Sequence, residues 1–201
     1  MDIPRAIDRV VYEEELSAWL PPRILDCHAH VSLGEHCGPV SPARYREIWA
    51  MEVGLQQSWQ DLRENYRLLF PRQEVAALVF GGVYREIDIE RNNEYVLAGL
   101  WDPGNNARGL LVTRPEWGAD EVAEGLAKGL LGIKPYPDLA PQGMAGASIY
   151  DFVPRAHLAV VDEVGGVLML HLPRTGRLGD PDNVRELVEI SETYPSIRLI
   201  V

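Results

Sequence analysis

The apolar pair Ile24-Leu25 runs into Asp26-Cys27-His28-Ala29-His30, which places two histidines one residue apart. Side chains alternate faces along a β-strand, so Asp26, His28 and His30 fall on one side and Cys27 and Ala29 on the other. Two imidazoles on one face of a strand end can grip a single divalent cation, and imidazole suits zinc, nickel, copper and iron. A third histidine, His171, closes a second apolar run, Val167-Leu168-Met169-Leu170. If both runs are strands of one parallel sheet, the three histidines share the carboxyl-end rim, where α/β folds place their sites. The expectation is a mononuclear metal centre, with zinc the first choice, that polarises a substrate carbonyl and lowers the pKa of water toward ~7. Asp26 is then either an orienter of a liganding histidine or a structural carboxylate. Cys27, facing away, is not expected to ligate.

These residues need strands to hold them, and the sequence offers six. Arg23–Cys27 continues into the histidines, followed by Val75–Phe80, Gly109–Thr113, Leu130–Pro135, Val167–Leu172 and Ile197–Val201. The runs are continuously apolar rather than alternating, as in a parallel sheet buried on both faces. Helical patterns lie between them. One spans 88–98, with Ile89, Tyr95 and Val96 inside. Another spans 119–128, with Val122 and Leu126 inside and a stop at Gly129. A third spans 151–164, with Phe152, Ala156 and Val160 inside and Pro154 in its first turn. A fourth opens at Asp180-Pro181, with Val184, Leu187 and Val188 as its inner stripe. Ile7, Val10, Val11 and Leu16 predict a short packed helix at the start. A strand followed by five helix–strand repeats is a parallel α/β architecture with right-handed crossovers.

Two features break the regularity. About forty residues separate the first two strands, far more than a βα connection needs, and they predict a helical insertion over 31–73 that caps the histidines, with helices near 42–51 and 55–69. Ile197–Val201 ends the sequence inside an apolar strand, so residues 1–201 read as one (β/α) barrel domain that stops at strand six.

The composition narrows the partners. The net charge of -11, from 30 acidic and 19 basic residues, argues against nucleic acid or an anionic membrane. No run approaches the ~20 apolar residues of a membrane span. Two cysteines, Cys27 and Cys37, make no disulfide framework and fit a reducing cytoplasm. A homodimer is left open. The five tryptophans read as packing, His36 as an exposed loop residue, and His157 as the solvent side of a helix. No dinucleotide fingerprint, phosphate loop or nucleophile elbow occurs.

Leu25-Asp26-Cys27-His28-Ala29-His30 resembles the opening motif of the amidohydrolase superfamily. Gly132-Ile133-Lys134-Pro135-Tyr136-Pro137 and Val167–His171 resemble the later strands of its aminocarboxymuconate-semialdehyde decarboxylase-like branch (amidohydrolase 2). The resemblance runs from Ile24 to Val201. It implies a (β/α)8 TIM barrel with one metal, held by His28, His30 and His171 and by an aspartate from strand eight. A catalytic histidine after strand six is implied too, and both of those groups would fall beyond Val201. Some superfamily members carbamylate a lysine near the place of Lys134. This branch does without that, which leaves Lys134 as a cation beside the substrate or as a strand-end lysine reaching solvent.

Basic residues recur just past strand ends: Arg85, Arg114, Lys134, Arg174 and Arg177. Guanidinium groups match carboxylates, so the expected substrate is a small anionic molecule, an aromatic or unsaturated carboxylic acid or its lactone, held by Lys134, Arg174 and Arg114. Three functions are then open: hydrolysis of a carbonyl or lactone by metal-activated water, non-oxidative decarboxylation in the same pocket, or a half-barrel that binds without turnover.

Overall fold

A computed structural model describes residues 5–141, 143 and 147–201. All sheet pairing among them is parallel. β1 (Arg23–His30), β2 (Glu74–Phe80) and β3 (Ala107–Gly109) form one sheet, while β4 (Leu111–Val112), β5 (Gly132–Lys134), β6 (Val167–Met169) and β7 (Arg198–Ile200) form a second. The two are joined through one stretch of chain. Leu110 N–H donates to Val79 O at 2.8 Å on one side, and Gly109 O accepts from Leu131 N–H at 2.8 Å on the other. The six predicted strands therefore stand in sequence order as an arc. Among the described residues β1 and β7 do not pair, and no closed barrel is seen. No helix among the described residues is long and apolar enough to cross a membrane.

Alternation along the central strands gives the arc two apolar faces. Leu111, Ile133 and Leu168 pack against α6 (Ala119–Ala127) and α8 (Arg155–Glu163). Phe80, Leu110, Val112 and Met169 form the other face. Gly132 permits the close approach of β5 and β6, because a Cβ there would sit 1.9 Å from Val167 O. Helix ends follow the predicted chemistry where it was local. Asp88 caps α5 (Ile89–Leu100), and Asp180 with Pro181 opens α9 (Pro181–Thr193). Gly129 takes φ +105° just past α6, a conformation that a side chain would strain.

Three expectations about inward faces are corrected. The predicted 151–164 helix is two helices, α7 (Ile149–Phe152) and α8, because Val153 before Pro154 is driven out of helical conformation. The restart rotates the stripe: His157, Leu158 and Val161 are buried, and Ala156 is exposed. In α9 the buried residues are Asn183, Glu186 and Ile190; of the predicted stripe Leu187 packs against the core, while Val184 and Val188 are exposed. At the start of the chain, α1 (Arg5–Val11) passes into a π-type turn, Tyr12–Leu16. Tyr12 turns inward and donates to Gln73 Oε1 at 2.8 Å, whereas Ile7, Val10 and Leu16 stay exposed.

The insertion holds three helices rather than two: α2 (Pro42–Glu47), α3 (Met51–Gly54) and α4 (Trp59–Leu69). Ser41 and Ser58 cap α2 and α4. A short antiparallel bridge between Ser32 and Gln57 closes the insertion on itself, and buried Arg44, which pairs with Glu86 and with Asp138, fastens it to the strand-end loops.

Candidate functional site

The carboxyl end of β1 is not a regular strand. Between paired residues β1 advances from Asp26 to Ala29 while β2 advances only from Ala77 to Val79, so one extra residue bulges out. The bulge frees the N–H of His28, and Asp26 Oδ1 accepts it at 2.9 Å. Asp26 Oδ2 accepts from Tyr66 OH at 2.7 Å. The carboxylate thus acts on the backbone of His28 and on α4 rather than orienting an imidazole, because the bulge supplies a nearer donor. His30 is fixed by the next strand: its Nδ1 lies 2.9 Å from Gly81 O, which leaves Nε2 as the free lone pair. Gly81 must be glycine there, since a Cβ would come within 2.8 Å of Asn92 Oδ1.

Phe80, at the end of β2, gathers the site. Its ring lies 4.9 Å from that of His28 and 4.4 Å from that of His30, and Lys134 Nζ stands 5.2 Å above it. The two histidine rings are 5.5 Å apart. Lys134 Nζ is also 5.8 Å from the Tyr136 ring, and Tyr136 lies 4.8 Å from His171, just past β6. Phe80 thus joins His28, His30 and Lys134, and Tyr136 links Lys134 to His171. Lys134 does not reach solvent. It is 1% exposed and makes no salt bridge among the described residues.

Charge follows from this burial. Desolvation pulls Lys134 down to about 8. Burial brings His30 to about 4, and burial with the charges of Arg177 and Lys134 brings His171 to about 4. Partial desolvation and Lys134 lower His28 as well. All three imidazoles are neutral at physiological pH, the state that ligates a metal. The donor set fits a borderline cation such as zinc in its chemistry. In their present rotamers, though, no group of three His, Cys, Asp or Glu among the described residues is arranged to hold one ion.

The predicted basic rim is largely committed elsewhere. Arg174 donates to Asn183 Oδ1 at 2.7 Å and pairs with Glu186 at 3.0 Å. Glu186 Oε2 also accepts the N–H of Ile149, and Asn183 donates to the carbonyls of Pro173 and Arg177. This explains the polar inward stripe of α9, which straps the loop after His171. Arg114 pairs with Glu90 at 3.3 Å and donates to Ile87 O, and Arg85 is held by Asp138. Arg177 donates to Leu172 O and has no carboxylate partner among the described residues. Arg174 and Arg177 both carry φ of +50°, a strained backbone for non-glycine residues.

A cleft of about 490 Å³ opens beside the histidines. Asp26, His28 and His30 line it from β1, and Trp49, Gln57 and Tyr66 line it from the insertion. The insertion thus supplies one wall of the cleft beside His28 and His30. Trp49 is 74% exposed there, against the expectation that the tryptophans serve packing, and Trp19 and Trp101 are also exposed. His36 and His157 are both buried, contrary to expectation. His36 stands edge-on to Tyr95 at 5.6 Å, and His157 Nε2 lies 2.8 Å from Trp117 O. Sequence reasoning missed Phe80, Tyr66 and Tyr136 as site residues. The position of Tyr136 two residues past Lys134 was the available signal, whereas nothing local marked Tyr66.

No family model matches the sequence, and no curated protein matches it. Among solved structures the chain is similar to a probable 2-pyrone-4,6-dicarboxylic acid hydrolase from Acinetobacter baumannii with citric acid bound, at a TM-score of 0.52 and 17% identity. The match covers 87% of this chain and 56% of that one, so the chain spans a little over half the length of its neighbour. At this identity the likeness shows a shared parallel α/β fold.

Proposed function

We propose that the mouth formed by β1, β2, β5 and β6 is the site of a metal-dependent hydrolase of the amidohydrolase type, acting on a carbonyl or lactone of a small carboxylate. One observation carries the reading: His28, His30, His171 and a buried Lys134 with no salt-bridge partner among the described residues all stand at the carboxyl ends of parallel strands. The solved neighbour, named as the hydrolase of a pyrone dicarboxylic acid, supports the reaction class by analogy of fold.

His28, His30 and His171 would hold the cation through their free nitrogens, with side-chain rotation at His28 or His171 completing the set. When bound, such a cation supplies Lewis acidity at the carbonyl and acidifies water. The remaining steps fall to this chain's own groups. Lys134, charged in a dry setting, holds the substrate carboxylate, with Arg177 beside it. Arg174 and Arg114, nominated from sequence, serve as anchors of the mouth loops through Glu186 and Glu90. The insertion excludes water above the histidines. Water adds to the carbonyl carbon, the carbon–oxygen bond of the ester breaks, and the departing oxygen takes a proton, leaving a hydroxy acid.

Lys134 also favours a second reading. An ammonium with its pKa near 8 is a competent proton donor to carbon after loss of carbon dioxide. Following carbon dioxide release against ring opening separates decarboxylation from hydrolysis. The test of the site itself is elemental analysis of the purified protein beside a His28→Ala/His30→Ala variant. Near-stoichiometric zinc in the parent and background zinc in the variant is the expected result, and equal content in both contradicts the assignment.

A further inference from the structure

The two ends of the site differ in charge, and that difference bears on which carboxylates it accepts. The cationic groups, Lys134 and Arg177, lie at β5 and after β6. The cleft of about 490 Å³ beside His28 and His30 has no lysine or arginine among the described residues that line it. The nearby arginines of that side are engaged: Arg85 with Asp138, Arg44 with Glu86 and Asp138, and Arg91 with Glu35. What the cleft offers instead is neutral. Gln56, Gln57 and Asn65 present amides, and Trp49, Tyr66 and Tyr84 present aromatic surface. Burial raises the pKa of Tyr66 and Tyr84, so both phenols stay protonated. Ser32, 1% exposed, lines the cleft with a hydroxyl that has no partner among the described residues. The one formal charge in the lining is negative, that of Asp26.

We infer that the site selects monocarboxylates whose far end is flat, uncharged and hydrogen-bonding, and that it disfavours dicarboxylates. The inference rests on the proposed site and deepens it. A carboxylate at the Lys134 end finds a cation. A second one, carried into the cleft, would lose water without gaining a counter-charge and would face Asp26. A neutral amide or hydroxyl in the same place meets the Ser32 hydroxyl and the glutamine amides, and the ring body lies against Trp49 and the tyrosines. This sets the chain apart from its structural neighbour, which is named for a dicarboxylic substrate and was solved with citric acid.

The probes are terephthalate and its monoamide, 4-carbamoylbenzoate, which match in shape and differ in one charge. Calorimetric titration of the zinc-loaded protein should give the monoamide a tighter Kd by about tenfold or more. Ser32→Ala should narrow that gap by weakening the monoamide alone. Equal or tighter binding of terephthalate overturns the inference, as does the absence of binding by either probe. The wild-type comparison needs no variant to fold. If zinc follows the imidazoles but terephthalate binds as well as the monoamide, the specificity fails and the site stands. If zinc does not follow them, the site assignment fails whatever the probes show.

Discussion

The two halves of the mouth are built by different physics. On the β1–β2 side the histidines are placed by backbone: a bulge turns His28, Asp26 takes the freed N–H, and Gly81 O holds His30. On the β5–β6 side His171 sits in a loop with no strand pairing of its own, and side chains do the holding through Asn183, Glu186 and Arg174. A backbone-held side can lose a polar side chain and keep its shape. A side held by an ion pair with a buried carboxylate, as here between Arg174 and Glu186, cannot, because removing one partner leaves the other without its counter-charge.

The largest effect should therefore come from the second half. Glu186→Ala strands Arg174 and the N–H of Ile149, and should cost about 3 kcal/mol or more in a denaturant titration. A loss below about 1 kcal/mol, the range of surface pairs, would erase the distinction between the halves. Asp26→Ala should behave oppositely. It removes the acceptor for His28 N–H beside the proposed ligands, so zinc affinity should fall about tenfold to a hundredfold, with stability changed far less. Competition with a chromogenic chelator reads the first quantity and urea unfolding the second. A large stability loss with unchanged affinity would break the comparison from the other side.

The same division governs what was legible in the sequence. The strands, their order and the paired histidines were readable because period and capping are local, and Asp180-Pro181 and Gly129 behave as their chemistry predicts. Features set by distant partners were not. One residue of bulge changes what Asp26 does, and one proline restart moves His157 from the surface to the interior. Arg174 and Arg114 looked like substrate ligands because Glu186 and Glu90 are neighbours only in space. The inner face of α9 is mixed for the same reason: Leu187 and Ile190 pack on the core as an apolar pattern predicts, while Asn183 and Glu186 turn inward to hold the loop after His171.

The smallest effect is a pH dependence at His157, away from the mouth. Burial lowers its pKa from the ordinary 6.5. The unfolded chain then binds a proton that the folded chain refuses, so stability is fully present above about pH 6.5 and declines as pH falls through that value. His157→Gln, which keeps a donor for Trp117 O, should flatten the acid limb of a stability–pH curve slightly relative to the parent. An identical slope would mean that His157 charges as readily folded as unfolded.

The central claim, that backbone-held and loop-held imidazoles meet at one cation, is tested most directly by anomalous diffraction at the zinc edge from crystals of the metal-loaded protein. The predicted result is one peak at the mouth within about 2.0–2.1 Å of nitrogens from His28, His30 and His171. A peak ligated elsewhere, or none at the mouth in zinc-loaded crystals, would contradict it.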